Sequence, residues 1–247
     1  DLTKGEQSFS GSDLDDFIVK KQDGNPTFMF ANAIDDALMG VNVVLRGDDH
    51  LSNTPRQIAL LKALDLSIPE FIHVALFTGD DGSPLSKRNG SLSVQELREA
   101  GYFPKAIANY LSRVGHTIGD NELRSLEELA AVFKIDNISN SPSRFDLDQL
   151  RFWQKKVIES ESTESLLTWL RKDLSEILPA EIDQNGFVEL IRENIVLPKD
   201  AADYAKNLFV HSLSSNKEVS TIIKKTGPNF FNIARESTQE YWGDWSK

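Results

Sequence analysis

The feature that most constrains the fold is a pair of short apolar runs with a helical segment between them. The runs cover residues 41–45 and 73–77. The first is typical of a strand buried on both faces of a parallel sheet, and the second is predicted to be another strand. Between them, Ser52 or Asn53 can cap a helix that has Pro55 in its first turn. The inner face of this helix is predicted to carry Ile58, Leu60, Leu61 and Leu64. A strand, a helix and a strand within about 35 residues predict a βαβ crossover.

Two further elements are predicted ahead of this crossover. The apolar residues 17–19, the Asp23-Gly24 turn and residues 27–28 indicate a β-hairpin. Residues 31–39 carry apolar side chains at helical spacing, and Gly40 follows where the end of a helix favours a residue with positive φ.

Helical patterns dominate the chain from Ser93 onward. Ser93 and Glu96 form a capping box that opens a helix over residues 94–100, and Pro104 stands in the first turn of the next helix. Further helical stripes cover residues 126–133, 147–158, 166–177, 187–191, 201–209 and 219–223. One crossover with two strands is too small for a complete doubly wound sheet. The predicted class is therefore α/β followed by all-α, in a chain that lacks the front of its own α/β domain.

Composition excludes several classes of protein. No run approaches the roughly 18 apolar residues of a membrane helix, and the chain begins with acidic residues where a signal or transit peptide would be cationic. We therefore expect a cytoplasmic protein without a membrane partner. The sequence has no cysteine, and its four histidines show no ligand pair at helical spacing, so no metal site is expected in the chain itself.

The net charge of −11 repels polyanions, so any phosphate binding has to come from local clusters of cations. Three clusters are candidates: Lys87 with Arg88, Arg151 with Lys155 and Lys156, and Lys224 with Lys225. The second cluster spans about one and a half turns of a predicted helix and could contact adjacent phosphates of a nucleic acid. A solvated helix face remains the alternative for the same residues.

Polar residues follow both predicted strands directly. Arg46-Gly47-Asp48-Asp49-His50 follows the first strand, and the loop over residues 83–90 comes soon after the second. Ligands of open α/β sheets bind at the carboxyl ends of the strands, so both segments are expected at one crevice. In the loop, Ser86, Lys87 and Arg88 would suit a triphosphate, which needs hydroxyl and cationic partners. An ordinary surface loop is the alternative.

Longer segments carry a more specific resemblance. Residues 28–40, residues 44–55 with Leu45-Arg46-Gly47-Asp48-Asp49-His50, and Pro84-Leu85-Ser86-Lys87-Arg88 occur in an order and spacing that resemble the bacterial-type glutamyl-tRNA synthetases. The resemblance continues through Gly101-Tyr102-Phe103-Pro104, Asn109-Tyr110-Leu111 and Phe145-Asp146, and it weakens after about residue 158.

This resemblance implies a class I aminoacyl-tRNA synthetase. The implied fold is the second half of a Rossmann-type nucleotide-binding domain followed by helical stem-contact and anticodon-binding domains. Residues 1–77 would hold the tail of a connective insertion and the end of the catalytic domain, residues 78–161 the stem-contact domain, and residues 162–247 an incomplete anticodon-binding domain. The implied reaction activates L-glutamate with ATP and Mg²⁺ and transfers it to the 3′ end of a glutamate or glutamine tRNA.

The resemblance also implies roles for individual residues. Catalysis is expected from the phosphate loop, ATP binding from that loop and the strand ends, and glutamate binding from a helix and a strand end. The catalytic residues would be Lys87, Ser86 and Arg88, the ATP-binding residues Asp49, Phe77 and Lys87, and the glutamate-binding residues Phe28, Asn32 and Arg46. Transfer RNA would contact Arg151, Lys155 and Lys156.

Some positions depart from the family pattern. Phe28 stands where the family has a tyrosine, Pro84 replaces the first lysine of the phosphate-loop signature, and the H-I-G-H-like motif is missing. We therefore expect the isolated chain to be inactive without an N-terminal half. The alternatives are a non-catalytic tRNA-binding module and one half of a split synthetase.

Overall fold

The computed structural model describes residues 1–79, 82–83, 85, 93–210 and 217–240. The chain divides into two compact units with interleaved bounds. The first unit comprises Asp1–Leu92 and Ala108–Leu147, and the second comprises Ser93–Ile107 and Asp148–Lys247. The three-domain division implied by the resemblance has other bounds and stays a prediction.

The first unit contains the predicted hairpin in a minimal form. One antiparallel bridge joins Lys20 to Pro26, and the amide of Lys21 donates to the Asn25 carbonyl at 2.7 Å. Helix α1 follows over Phe28–Leu38 and begins three residues earlier than predicted. Gly40 has φ 71° after this helix, as its position predicted.

The βαβ crossover is confirmed. Strand β1 (Val43–Gly47), helix α2 (Thr54–Ala63) and strand β2 (Glu70–Val74) follow in order, and the strands pair in parallel with Val43 opposite Glu70. A short 3₁₀ helix, Asp48–Asn53, links β1 to α2.

Three details of the crossover differ from the prediction. The second strand begins at Glu70 and ends at Val74, because its pairing with β1 stops opposite Gly47. Strand β1 is not buried on both faces, since it pairs with β2 alone among the described residues and Leu45 is 54% exposed. The fully buried side of α2 consists of Thr54, Gln57 and Leu61 rather than an all-apolar stripe.

The remainder of the first unit is anchored by polar contacts. Strand β3 (Phe77–Thr78) pairs in parallel with β4 (Ser143–Arg144). The fully buried Asn109 exchanges hydrogen bonds with the backbone of Arg124 at 2.8 and 3.0 Å. The hydroxyl of Tyr110 accepts from the Asp146 amide at 2.7 Å, which explains why the motifs at 109–111 and 145–146 belong together. Helix α5, Leu126–Val132, completes this unit.

Helices make up the second unit. They are α3 (Val94–Ala100), α6 (Leu147–Ser160), α7 (Thr163–Leu174), α8 (Gln184–Ile191), α9 (Pro198–Phe209) and α10 (Lys217–Glu240), and α4 (Pro104–Leu111) begins here. The Ser93–Glu96 capping box is confirmed. Helix α10 is interrupted at Gly227, which has φ 76° and precedes Pro228. The described helices include none that is long and apolar enough to cross a bilayer.

One apolar core holds α6 to α9 together. Its buried members are Ile158, Leu166, Leu170, Leu174, Phe187, Val188, Ile191, Ile195, Ala201 and Ala205. The turn after α3 is fixed to the same unit through Gly101, whose carbonyl accepts from Trp169 Nε1 at 2.9 Å and from Gln154 Nε2 at 3.2 Å. A Cβ at Gly101 would lie 2.4 Å from Pro198, so this turn has no room for a side chain.

Candidate functional site

Arg46 is held at the end of β1 by a buried polar network in the first unit. Its Nε donates to His73 Nε2 at 3.1 Å, and its Nη2 donates to Thr54 Oγ1 at 2.7 Å. The guanidinium carbon lies 5.2 Å from the centre of the Phe71 ring. These contacts come from two elements, α2 and β2, and within the described part of the chain they use two of the five N–H donors of the guanidinium.

The network determines which ring nitrogen of His73 carries the proton. A guanidinium can only donate, so His73 Nε2 accepts and the neutral ring carries its proton on Nδ1. That nitrogen lies 2.5 Å from Asp1 Oδ2, which accepts the bond. His73 is 1% exposed, and its burial, with the charges of Arg46 and Lys4, lowers its pKa to about 4.

Asn32 on α1 is held in a comparable way. Its Nδ2 donates to Asp36 Oδ2 at 3.2 Å, and its Oδ1 accepts from Gln57 Nε2 at 3.1 Å. Gln57 Nε2 also donates to the Met29 carbonyl at 3.3 Å. Gln57 is 2% exposed, and its Oε1 is buried without a hydrogen-bond partner.

Electrostatics place Arg46 and Asn32 in one neighbourhood. Burial lowers the pKa of Arg46, and the charges of Asp36 and Asp49 act in the opposite direction. Asp36 is also the acceptor for Asn32, so one carboxylate is close to both residues. Phe28 is 62% exposed nearby, with its ring centre 5.6 Å from that of His50. Hydrogen bonds to α2 thus link two predicted residues, Arg46 through Thr54 and Asn32 through Gln57.

Phe77 has a different environment within the same unit. It lines an apolar cavity of about 240 Å³ together with Leu45, Val74, Leu129 and other residues. Its carbonyl accepts from the Leu85 amide at 3.0 Å, which brings the chain beside β3 one residue before Ser86. The predicted phosphate-loop residues Pro84, Ser86, Lys87 and Arg88 lie outside the described residues.

The three cations predicted to contact tRNA lie on α6. Arg151 and Lys155 are exposed, and Arg151 forms an ion pair with Asp148 at 3.1 Å. Lys156 places its Nζ 5.3 Å from the centre of the Phe152 ring. The contact of this cluster with tRNA therefore stays a prediction.

No group of three or more acidic, histidine or cysteine side chains within the described ranges is arranged to hold a metal ion. No ligand for Mg²⁺ is assigned to the described residues.

Thr54, Gln57 and His73 are absent from the set predicted from sequence. Thr54 and Gln57 are three residues apart on a helix that follows the first strand, so they share its buried face. A polar pair at this spacing on an otherwise apolar helix face is the signal that could have indicated them. The orientation of His73 has no sequence signal, because it depends on a contact with Arg46, 27 residues away.

Comparisons with known proteins identify the family of this chain. The profile of the family "tRNA synthetases class I (E and Q), catalytic domain" matches residues 1–152. Glutamate–tRNA ligase 2 of Nitrosococcus oceani is 48% identical over 95% of this chain and 49% of that protein. Glutamate–tRNA ligase 1 of Methylococcus capsulatus is 43% identical over 97% of this chain and 51% of that protein.

A solved structure of a glutamate tRNA ligase is also similar to this chain. The crystal structure of a glutamate tRNA ligase from Elizabethkingia meningosepticum in complex with its amino acid matches with a TM-score of 0.84 and 26% identity. The match covers 98% of this chain and 52% of that one. The chain thus spans about half the length of these relatives. Since the family profile covers more than half of its residues, the chain belongs to the class I tRNA synthetases of the glutamate and glutamine type.

Proposed function

We propose that this chain is part of a glutamate–tRNA ligase and that Arg46 binds the side-chain carboxylate of L-glutamate. The observation that carries the proposal is the anchoring of Arg46 by Thr54 and His73, with Asn32 in the same neighbourhood. A guanidinium held by Nε and one Nη presents further N–H groups in a fixed fork, which suits a planar carboxylate.

In the proposed reaction, an oxygen of the glutamate α-carboxylate forms a bond to the α-phosphorus of ATP. The bond from that phosphorus to the bridging oxygen breaks, and pyrophosphate leaves with the electron pair. The terminal ribose hydroxyl of the tRNA then attacks the acyl carbon and releases its proton to solvent. The bond from that carbon to the phosphate oxygen breaks, and AMP leaves with the electron pair. Positioning and charge stabilisation suffice for such steps, without a covalent nucleophile.

Lys87 is the residue proposed to meet the phosphate charge, with Ser86 and Arg88 beside it and with Asp49 and Phe77 near ATP. Mg²⁺ would arrive with ATP and neutralise phosphate charge. Arg151, Lys155 and Lys156 are proposed to contact tRNA phosphates. The assignment of residues 1–77, 78–161 and 162–247 to catalytic, stem-contact and anticodon-binding regions belongs to the same proposal.

The proposal includes a partner for the first unit. Strand β1 exposes Val43 and Leu45, at 39% and 54%, although strands of parallel sheets are normally covered on both faces. We propose that this face contacts the part of the relatives that the chain does not span, either in one polypeptide or as the other half of a split enzyme.

The test joins this chain to the matching remainder of a relative and measures ATP–pyrophosphate exchange. We expect Arg46→Lys to raise the glutamate concentration needed for half-maximal rate at least tenfold, because lysine cannot form the same fork. Lys87→Ala should lower the maximal rate by about 10²-fold or more. Lys62→Ala, at an exposed position of α2, is the control. A normal glutamate dependence in Arg46→Lys would refute the assignment of Arg46.

The non-catalytic alternative is tested by titrating this chain alone with glutamate tRNA, glutamine tRNA and an unrelated tRNA at about 50 and 150 mM salt. Selective binding at the higher salt concentration would support a tRNA-binding module. Equal or absent binding would count against it.

A further inference from the structure

The first unit contains an apolar cavity beside its parallel sheet. The cavity has a volume of about 240 Å³, and its walls include Val74 of β2, Leu111 at the end of α4 and Leu129 of α5. Protein interiors are close-packed, and an apolar void of about 150 Å³ is already large enough to bind benzene. The cavity of this chain therefore has room for an aromatic molecule with two fused rings.

The walls of the cavity favour a neutral ligand. Among the described residues, the lining contains no acidic side chain and no lysine or arginine. A charged group would lose its water there without gaining a partner of opposite charge, which costs free energy. Two of the lining side chains, Leu45 and Phe133, are 54% and 49% exposed, so a small molecule can enter from solvent.

His116 adds an unused hydrogen-bonding atom to this wall. Its ring stacks on Phe133 with the ring centres 5.1 Å apart, and its Nδ1 is buried without a hydrogen-bond partner in the described part of the chain. Its Nε2 faces the backbone of Lys134, with the carbonyl oxygen at 3.0 Å and the amide nitrogen at 3.3 Å. The carbonyl is closer and can only accept, so Nε2 carries the proton and Nδ1 has a free lone pair.

We propose that this cavity binds a small neutral aromatic molecule that has one N–H or O–H donor and is about the size of indole, and that His116 Nδ1 accepts its hydrogen bond. A buried nitrogen without a partner costs free energy, and such a donor removes that cost while the ring fills the apolar space. The lining includes neither Arg46 nor Asn32, and the proposal does not depend on the proposed function.

The first measurement titrates this chain with indole, without amino acid or ATP, at about pH 8, where an ordinary imidazole is neutral. The NMR methyl signals of Val74 and Leu129 should shift saturably. Benzothiophene has a similar shape but no N–H, so it should bind about tenfold more weakly, as expected for one hydrogen bond. Indole-3-carboxylate carries a charge and should not bind. The proposal is wrong if indole gives no saturable shift or binds no more tightly than either analogue.

The second measurement fills the cavity. Ala75 lines it, so Ala75→Leu should weaken indole binding at least tenfold by occupying part of the space. Ala131→Leu is the control, because Ala131 is an exposed residue of α5 outside the lining, and it should leave the affinity unchanged. If circular dichroism shows that Ala75→Leu is unfolded, Val114→Phe at another lining position provides the same test. An unchanged indole affinity in the folded variant would place the ligand elsewhere and overturn the proposal.

The third measurement tests the hydrogen bond to His116. His116→Phe keeps an aromatic ring against Phe133 and removes both nitrogens, so it should abolish the preference for indole over benzothiophene and leave benzothiophene binding nearly unchanged. If His116 only supported the wall, both molecules would lose affinity equally, which would contradict its role as an acceptor. The ¹⁵N NMR signals of His116 in the ligand-free chain should show the proton on Nε2. A proton on Nδ1 would refute the choice of a donor ligand.

Discussion

The helical core of the second unit and the two-stranded sheet of the first bury their apolar side chains to different degrees. Leu166, Leu170 and Phe187 are 0% exposed, whereas Leu45 on β1 is 54% exposed. The helices α6 to α9 close their core with residues that lie near each other in the sequence. A parallel sheet recruits neighbours from distant segments, so two strands with one crossover leave apolar surface uncovered.

The largest expected effect is the loss of a core side chain in the second unit. Phe187→Ala should destabilise the chain by about 3–5 kcal/mol, because it leaves a cavity in a fully buried cluster. Urea denaturation followed by circular dichroism measures this change. Leu190→Ala on the same helix is the control, since that side chain is 45% exposed. A loss below about 1 kcal/mol in Phe187→Ala would show that the core repacks easily.

The next prediction concerns how the stability of the first unit depends on pH through His73. His73 has a pKa of about 4 in the folded chain and an ordinary value of 6.5, so the unfolded chain takes up the proton first as the pH falls. The contribution of neutral His73 is complete above about pH 6.5 and should decline by up to about 3 kcal/mol by pH 4. Urea denaturation of the native chain and His73→Gln across this range should show a smaller decline in the variant. Parallel declines would contradict the assigned neutral state.

A third prediction concerns the turn that ties α3 to the helical core. Gly101 has φ 94°, and a Cβ there would lie 2.4 Å from Pro198 Cδ. Gly101→Ala should cost about 2 kcal/mol or more from backbone strain and overpacking. Hydrogen exchange in α3 and α9 would report the change. Gly119→Ala, where nothing lies within 4 Å of the new Cβ, should have little effect. Equal stability of the two variants would contradict the tight packing of this turn.

The smallest effect tests the exposed sheet directly. Leu45 lies opposite Ile72 in the β1–β2 register, yet Ile72 is 2% exposed. Leu45→Ala should cost less than about 1 kcal/mol in this chain, whereas Ile72→Ala should cost about 2–4 kcal/mol. The cost of Leu45→Ala should increase when the chain is joined to the remainder of a relative. An unchanged cost would contradict the interpretation that another segment covers the exposed face of β1 in the joined protein.

Local patterns predicted much of the fold. The crossover, the capping box at Ser93 and the helices from α3 to α9 follow from periodicity and from caps, which depend on residues close in sequence. The exposure of Leu45 and the end of β2 at Val74 do not, because they depend on which strands pair.

The candidate site was predictable to a similar extent. The family resemblance indicated Arg46 and Asn32, and in the structure both contact α2, through Thr54 and Gln57. It gave no indication of Gln57 or His73, since their importance comes from hydrogen bonds that span 25 and 27 residues. Periodicity describes which side chains are apolar, but it does not describe which buried polar atoms meet.

The division into two units has a spectroscopic consequence. Two of the four tryptophans of the sequence, Trp153 and Trp169, lie among the described residues, and both belong to the second unit. The indole fluorescence of these two residues would therefore report on the helical unit. A single tryptophan placed in the first unit, for instance Phe71→Trp beneath Arg46, would give each unit its own emission signal.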